Sequence, residues 1–376
     1  MSTVIDDIAC IYAKLCFDGE AWQERVTIHC EVGHISAIEK DSTPPKSAHI
    51  IPDDHILTPG LIDIQVNGGG GILWNDLPNR DNLQILCNAH ATLGTAWVLP
   101  TLISPHRATI KHAIATIKQA VDEKMPGVLG LHIEGPFLHL EKSGIHPKTR
   151  IATLCDSDLE LLCTLPKPAV TMVTLAPECV TQSQLDHLIT HGVIAMAGHS
   201  MIAADQATTA FNSGVRGTTH LYNAMPGLSA RAPGLIGATL SHPQAYASLI
   251  CDRHHCHTAA VQLAHRAKGP DHLLLISDAM PSVGSDCQSF SIAHQTITLH
   301  DGRLQNADGT LGGAHLHLAQ AIANFAEICA CDLGEAIRLA TRNVGMLLRT
   351  PHLGAIKKGA RARFSQLLDI RSHYEH

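Results

Sequence analysis

The sequence contains no run of about 20 apolar residues, the length that a membrane-spanning helix needs. Its first residues, which include Ile5-Asp6-Asp7-Ile8, also lack the basic start of a signal peptide. These two absences argue against a membrane protein of the helical type and against a typical secreted protein. We therefore expect a cytoplasmic protein that has no membrane partner.

Paired cysteines are absent as well. The chain has 12 cysteines, but no two of them form a Cys-x-x-Cys pair. This scattered spacing argues against a disulfide framework, and a cytoplasmic protein keeps its thiols reduced. We expect most of these cysteines to be small, buried apolar side chains.

No cluster of lysine and arginine is long enough to follow a phosphate backbone. The net charge is −7 with neutral histidines, so nucleic acid is a poor candidate partner. Histidine is frequent, with 27 residues. Most histidines lie in segments without other chemically active side chains, and we expect these to be structural; examples are His34, His49, His112, His187 and His300.

The 376 residues, of which 45% are hydrophobic and 16% charged, are typical of a globular protein with an ample core. Up to about residue 57, short alternating segments predict antiparallel strands. Beyond this point, eight apolar strand-like segments alternate with segments of helical periodicity. The predicted strands are Leu61–Val66, Ala96–Thr101, Val128–Ile133, Val170–Leu175, Val193–Ala197, Gly217–His220, Ser248–Cys251 and Leu273–Ser277.

This alternation predicts a closed (β/α)₈ barrel of the TIM type, with an open doubly wound sheet as the alternative. After the eighth strand we expect a hairpin over Phe290–Leu304 and helices over Ala314–Ala330 and Leu333–Leu347. The tail from Gly354 to His376 returns to strand-like segments, so we expect it to pack with the N-terminal strands. The predicted division is a small β-sandwich domain of residues 1–57 and 349–376 and a catalytic barrel of residues 58–348.

Chemically active residues follow three of the predicted barrel strands. Glu134 ends an apolar run and precedes Gly135-Pro136, while His199 and His220 end two later runs. A carboxylate alone at a strand end is more often a solvated loop residue or a helix N-cap than a metal ligand. Together, one glutamate and two histidines can hold a divalent metal and leave a position open for water.

Polar residues also follow strands seven and eight. His254, His255 and His257 come after strand seven, where they predict either a second metal site or one histidine that contacts substrate among surface neighbours. Asp278 follows strand eight. A carboxylate at this position, facing a bound water across the barrel mouth, can accept the proton of that water and return it to a leaving group.

Five motifs together resemble those of the N-acetylglucosamine-6-phosphate deacetylases, a family of the amidohydrolase superfamily. They are Leu57-Thr58-Pro59-Gly60-Leu61-Ile62-Asp63, His132-Ile133-Glu134-Gly135-Pro136, Ala197-Gly198-His199-Ser200, Thr219-His220-Leu221-Tyr222-Asn223-Ala224-Met225 and Ser277-Asp278-Ala279. The resemblance runs in order from about Leu57 to Leu348. It implies a metal-dependent barrel with a small β-sandwich built from both chain ends.

The resemblance also implies roles for single residues. Glu134, His199 and His220 match metal ligands, and Asp278 matches the general acid and base. His146 matches a histidine near the substrate carbonyl. The residues that match substrate contacts are His255, Asn223, Ala224 and Arg231, the last of these being a phosphate-binding arginine supplied across a homodimer interface. The implied cofactor is one divalent metal per subunit, most commonly zinc, with iron, manganese or cobalt as alternatives.

The chain departs from the pattern in three places. Strand one carries Gln65 and Asn67 where many relatives in the superfamily have the two histidines that hold a second metal, so we expect a single ion. His315 and His317 stand where the family usually has a Ser-rich loop followed by a Met, a change that concerns acyl-group packing. In the tail, Arg363 follows Ala362 where an Asp is common, and the family's last strands are missing, so we expect a less complete small domain.

These features predict hydrolysis of the acetamide of N-acetylglucosamine 6-phosphate, which releases acetate and glucosamine 6-phosphate. Two alternatives come from other classes. A dihydroorotase-type cyclic amidohydrolase needs two metals and a modified lysine, and Gln65, Asn67 and Glu134 argue against it. A catalytically silent metal-binding scaffold is disfavoured by Asp278 and the three predicted ligands.

Overall fold

A computed structural model describes residues 2–371 of the chain. Within this range, twenty strands alternate with ten α-helices. The strands are β1 (Thr3–Ile5), β2 (Cys10–Phe17), β3 (Trp22–Glu31), β4 (His34–Glu39), β5 (His49–Ile50), β6 (His55–Pro59), β7 (Leu61–Val66), β8 (Gly68–Gly69), β9 (Ile72–Leu73), β10 (Thr95–Ile103), β11 (Gly130–Glu134), β12 (Val170–Leu175), β13 (Ile194–Ala197), β14 (Gly217–Thr218), β15 (Tyr246–Ile250), β16 (Leu273–Ile276), β17 (Ser289–Ile292), β18 (Gln295–His300), β19 (Arg303–Gln305) and β20 (Phe364–Leu368).

The helices lie mainly between the strands of the central sheet. They are α1 (Arg80–Ala91), α2 (Arg107–Asp122), α3 (Asp156–Leu162), α4 (Gln182–Thr190), α5 (Ala204–Asn212), α6 (Gly234–Ser241), α7 (Thr258–Lys268), α8 (Leu318–Cys329), α9 (Leu333–Arg338) and α10 (Arg342–Leu347). Among the described residues, no helix is long and apolar enough to cross a membrane.

The central sheet is the predicted barrel. Its eight parallel strands run in the order β7, β10, β11, β12, β13, β14, β15, β16. The first and last strands meet, because the backbone amide of Ser277 donates to the Asp63 carboxylate (3.3 Å) and that of Asn67 donates to the Ala279 carbonyl (2.9 Å). This contact confirms the barrel fold and rules out an open doubly wound sheet.

The helices cover the barrel with their apolar faces. In α2 the buried residues Ile110, Ala113, Ile114, Ile117 and Ala120 recur at the three- and four-residue spacing of one helical face. Asn79 caps the N-terminus of helix α1, because its side chain accepts a hydrogen bond from the Asn82 backbone amide (2.9 Å). These apolar helix faces pack against the outward side chains of the strands. The strand ends therefore lie together at a common rim.

Both chain ends build one small, mainly antiparallel sheet. Its order is β1, β20, β6, β2, β3, β4, with β5 paired to β2. The sheet surrounds a separate core that includes Ile11, Ile28, Leu57 and Phe364. The tail therefore joins the N-terminal strands as predicted, and residues 372–376 of the predicted tail lie outside the described range. From this pairing we propose the division into residues 1–57 with 349–376 and residues 58–348.

Two predicted elements differ from the structure. The segment after the barrel forms a three-stranded sheet of β17, β18 and β19 rather than a simple hairpin. The helix predicted over Leu333–Leu347 is divided into α9 and α10. The division occurs at Thr341, whose backbone leaves the helical region (φ −133°, ψ −95°) while its hydroxyl donates to the Ile337 carbonyl (2.7 Å).

Candidate active site

Three buried side chains converge at the rim of the barrel. Glu134 is the last residue of β11, and His199 and His220 each lie two residues beyond the ends of β13 and β14. Oε1 of Glu134 lies 3.2 Å from Nε2 of His199 and 2.9 Å from Nε2 of His220. The two Nε2 atoms are 3.0 Å apart. The structure thus brings together the three residues that the sequence analysis assigned to a metal.

The hydrogen bonds of this triad fit a metal site. Nδ1 of His199 lies 2.7 Å from the backbone oxygen of Lys142, and because a carbonyl can only accept, the proton of the neutral ring sits on Nδ1. The Nε2 lone pair then points at the other two ligand atoms, as in histidines that bind metals. Burial acts to raise the pKa of Glu134, but its close contacts with the rings of His199 and His220 outweigh burial and hold that pKa well below its usual value. The group therefore stays an anionic oxygen ligand.

His146 lies beside the triad. Its Nε2 is 3.8 Å from Oε2 of Glu134, and its Nδ1 is 2.7 Å from the hydroxyl of Ser104. Burial, reinforced by the neighbouring His199, lowers the pKa of His146 well below its ordinary value. The ring is therefore neutral at physiological pH, and its Nε2 faces the same space as the triad.

Asp278 follows β16 and faces the triad from the closing edge of the barrel. Its Oδ1 accepts hydrogen bonds from the side-chain amides of Asn67 (2.6 Å) and Gln65 (3.1 Å). Gln65 also donates to Oε1 of Glu134 (3.1 Å). Burial and the nearby Glu134 carboxylate raise the pKa of Asp278 to about 6. A carboxyl group with this pKa can both accept and release a proton near neutrality.

The backbone at these positions is unusual. His199, His220 and Asp278 have positive φ values of 50°, 36° and 51°, a conformation that costs energy for residues other than glycine. It turns each side chain inward at the point where its strand ends. Gly198 permits this turn at His199, because a Cβ at residue 198 would lie 2.7 Å from Cγ2 of Thr174.

An open cavity of about 250 Å³ is lined by the triad, His146 and Asp278. Asn223, Ala224 and His255 line it too, so eight of the nine predicted site residues share one space. Arg231 does not line it and is exposed in the loop before α6. Within the described chain, Arg231 has no side-chain hydrogen bond or ion pair.

The orientation of His255 is set by Asp252. Nδ1 of His255 donates to Oδ2 of Asp252 (2.6 Å), while Oδ1 of the same carboxylate accepts from the backbone amides of His254 and His255 (2.9 and 2.8 Å). Burial acts to raise the pKa of Asp252, but its bond with His255 outweighs this and lowers it. The carboxylate is therefore ionised and leaves Nε2 of His255 directed away from it.

The other histidines of the two motif regions have separate partners. His254 accepts from Nε of Arg303 (3.1 Å), and His257 caps α7 by accepting from the Ala259 amide (3.2 Å). This separation favours a single contacting histidine over a second metal site after strand seven. His315 lies 2.9 Å from the Ser282 hydroxyl and His317 caps α8, so neither lines the cavity.

The sequence analysis missed one residue that contacts the cavity lining and several that line the cavity themselves. Ser104, which contacts His146, could have been found because it follows the predicted second strand and is thus a polar residue at the active rim. The loop residues that close the cavity after β19 carry no such signal, because they are small or apolar and far from the motifs in sequence. They are Thr310, Leu311 and Gly313.

Comparison with known proteins agrees with this geometry. The amidohydrolase family model matches residues 56–373. The chain is 34% identical to the N-acetylgalactosamine-6-phosphate deacetylase of Shewanella sp. (strain ANA-3), over 92% of this chain and 90% of that protein. It is 32% identical to the N-acetylglucosamine-6-phosphate deacetylase of Haemophilus influenzae, over 81% and 80%. The crystal structure of the N-acetylglucosamine-6-phosphate deacetylase from Pasteurella multocida superimposes with a TM-score of 0.89 at 29% identity and covers 94% of each chain. The chain therefore belongs to the amidohydrolase family, among the N-acetylhexosamine-6-phosphate deacetylases.

Proposed function

We propose that this enzyme hydrolyses the acetamide of N-acetylglucosamine 6-phosphate and releases acetate and glucosamine 6-phosphate in amino-sugar catabolism. One observation carries the proposal: Asp278, with a pKa of about 6, faces the triad of Glu134, His199 and His220 across one cavity. An amide needs an activated water and a proton for its leaving amine, and this pairing offers both. The names of the related deacetylases support the same substrate class.

The triad would hold one divalent metal ion. The imidazole nitrogens and the carboxylate oxygen form a borderline donor set that suits zinc, with iron, manganese or cobalt as alternatives. When bound, the ion supplies Lewis-acid chemistry at the rim of the barrel. Where β7 ends, Gln65 and Asn67 face the site, and their amide oxygens are weak ligands, so we propose one ion in this cavity per chain.

Asp278 moves the proton. As a carboxylate it accepts the proton of the attacking water, and as a carboxylic acid it gives that proton to the departing amine. Asn67 and Gln65 hold Oδ1 in place through hydrogen bonds of 2.6 and 3.1 Å. Oδ2 has no hydrogen bond among the described residues, and we assign it the proton transfer.

His146 is placed to stabilise the oxyanion. If Nδ1 accepts the proton of the Ser104 hydroxyl, Nε2 carries the ring's proton and presents an N–H donor to the cavity. Such a donor contributes about 3 kcal/mol when it faces the charge that develops on the substrate oxygen. The low pKa of His146 supports this neutral form.

Recognition of the sugar phosphate falls to the other side of the cavity. We assign His255, Asn223 and Ala224 to the substrate, since all three line the space beside the triad. Arg231 would bind the phosphate from the second subunit of a homodimer. Its exposed position outside its own cavity supports an action in a neighbouring chain.

Twelve free cysteines fit the reducing cytoplasm, where we place the enzyme.

The proposal is tested by measuring acetate release from N-acetylglucosamine 6-phosphate, with ring opening of dihydroorotate measured in parallel. We expect rapid deacetylation, which Asp278→Asn nearly abolishes, and no turnover of dihydroorotate. Preferred turnover of dihydroorotate would overturn the proposal in favour of a cyclic amidohydrolase. Failure to turn over either substrate would support a silent scaffold.

A second substrate is favoured by the relative from Shewanella, whose name specifies the galactosamine epimer. The two sugars differ only in the configuration at C4. Comparing kcat/KM for N-acetylglucosamine 6-phosphate and N-acetylgalactosamine 6-phosphate decides between them. A preference for the second sugar would retain the chemistry and change the assigned substrate.

A further inference from the structure

A second group of side chains that could hold a metal lies at the C-terminal ends of helices α3 and α4, and none of its residues lines the cavity. Cys163 follows the last residue of α3, and His187 and His191 lie at the end of α4. One ligand atom from each residue lies within 4.8 Å of the other two. The sequence analysis treated His187 as structural, because Cys163 is 24 positions away and only the packing of α3 on α4 brings them together.

The two histidines occupy adjacent turns of one helical face. Residues four apart in a helix point the same way, and the two rings stack with their centroids 4.1 Å apart at 25°. Nδ1 of His191 lies 2.8 Å from the backbone oxygen of His187. The carbonyl only accepts, so Nδ1 carries the proton and the Nε2 lone pair is left free, an arrangement that orients histidine ligands in metal sites.

Cys163 completes the set from the neighbouring helix. Its thiol makes no hydrogen bond to any residue in the range 2–371. Cys163 and His187 are partly exposed and His191 is exposed, so an ion can reach all three from solvent. Both helices end here, and their C-terminal carbonyls favour a positive charge.

We propose that Cys163, His187 and His191 form a second metal site, which takes a thiophilic divalent transition metal such as zinc or cobalt. One thiolate and two imidazoles are the donors that these ions prefer, and a water completes a tetrahedral shell. Tetrahedral bonds of ordinary length place ligand atoms roughly 3.5 Å apart. Small side-chain rotations of these accessible residues bring the atoms from within 4.8 Å to this spacing.

Binding exchanges one proton for the metal. Burial raises the pKa of the Cys163 thiol, so the thiol is protonated at neutral pH. The ion displaces that proton as the S–metal bond forms, and the proton goes to solvent. Affinity at this site therefore increases with pH. The site does not rest on the proposed function, because none of its residues lines the cavity.

Cobalt titration of the full-length protein separates this site from the cavity. The cavity triad has only nitrogen and oxygen donors, so the near-ultraviolet absorption of a thiolate–cobalt bond reports on a cysteine site. We expect wild-type protein to develop this band, with one of two bound equivalents of cobalt held by the cysteine site at saturation. Cys163→Ser should abolish it, and His187→Ala or His191→Ala should weaken cobalt binding about tenfold or more.

Cys155→Ser is the matched control, because Cys155 is the exposed cysteine at the other end of α3. This variant should retain the full band. Circular dichroism of the four variants checks that the surface substitutions leave the fold intact. Absence of the band from wild-type protein, or a band that survives Cys163→Ser, would overturn the proposal.

Discussion

The side-chain amide of Asn67 donates a hydrogen bond of 2.6 Å to Oδ1 of Asp278. This bond joins the first strand of the barrel to the residue that follows the last, across the closing edge. Gln65 adds a second amide from the same strand. Gln65 and Asn67, which stand where histidine ligands for a second metal were considered, therefore hold Asp278, the proposed proton carrier, in place.

Replacing Asn67 with Ala should shift the pH profile of kcat/KM. The Asn67 amide stabilises the Asp278 carboxylate, so its removal raises the pKa of Asp278 above the value of about 6. Catalysis needs the carboxylate, so the acidic limb should move to higher pH. A hydrogen bond to a charged group contributes about 1.5–3 kcal/mol, which predicts a displacement of about one to two pH units. Asn88→Ala, on the exposed face of α1, should leave the limb unchanged. If the acidic limb of the pH profile did not move in Asn67→Ala, Asn67 would not stabilise the Asp278 carboxylate as proposed.

Asp278→Asn should retain its metal and lose most hydrolysis. Asparagine has nearly the same shape and can still accept the bonds from Asn67 and Gln65, but it cannot take a proton from water. General acid–base catalysis contributes about 10²–10⁴-fold in rate. Activity within about tenfold of wild type, a barrier change of only ~1.4 kcal/mol, would show that another group is the base.

Arg231→Ala should reduce activity on the phosphorylated sugar and leave the slow reaction on unphosphorylated N-acetylglucosamine nearly unchanged. The guanidinium forms charge-assisted hydrogen bonds with phosphate, and their loss predicts a decrease of about tenfold or more in kcat/KM. Equal losses on both substrates would contradict this role. Mixing Arg231→Ala with Asp278→Asn chains tests the source of the arginine: partial recovery of activity means that it comes from the neighbouring subunit.

Arg107→Met should destabilise the fold in a pH-dependent way. Arg107 binds both oxygens of Asp158 (2.5 and 2.8 Å), and Asp158 is buried. Burial acts to raise the pKa of Asp158, but hydrogen bonds from Arg107 outweigh it and lower that pKa. The stabilisation is therefore present above the unfolded pKa of about 4 and is lost as the pH falls through the folded value. Because Arg107 is half exposed, we expect a loss of about 1–2 kcal/mol at pH 7 by urea unfolding.

The difference between wild type and Arg107→Met should shrink below about pH 4, as the pH falls from the unfolded pKa of Asp158 towards its lower folded pKa. Arg80→Met provides the control, because its partner Glu123 is also at the surface and their ion pair is exposed. That variant should change stability much less than Arg107→Met does, because solvent screens an exposed ion pair. A similar loss in both variants, or one in Arg107→Met that is independent of pH, would contradict the assignment.

Much of the fold could be predicted because buried parallel strands leave a strong apolar pattern. The seven predicted strands other than Gly217–His220 overlap observed strands closely, whereas β14 ends at Thr218. There the backbone turns into the left-handed conformation of His220 (φ 36°). Local sequence does not reveal this turn, because it is imposed by the position that the side chain takes in the cavity.

The site could be predicted where its residues end or follow a strand, as Glu134 and Asp278 do, since a barrel brings the strand ends to one rim. Contacts between residues of distant segments could not be predicted. The loop of Thr310 and Leu311 reaches the cavity from beyond the barrel, and Cys163 meets His187 only through the packing of α3 on α4. Periodicity describes each element by itself and carries no information on which helices become neighbours.

We propose that this deacetylase works with one metal ion in its cavity. The most direct test is to titrate metal-free protein with zinc while measuring acetate release from N-acetylglucosamine 6-phosphate. We predict that activity rises linearly and reaches its plateau at about one equivalent per chain, because the triad forms a single ion site in the cavity. His199→Ala and His220→Ala should show no such rise. Full activity without metal, or a rise that continues to two equivalents in wild type and in Cys163→Ser alike, would contradict the account.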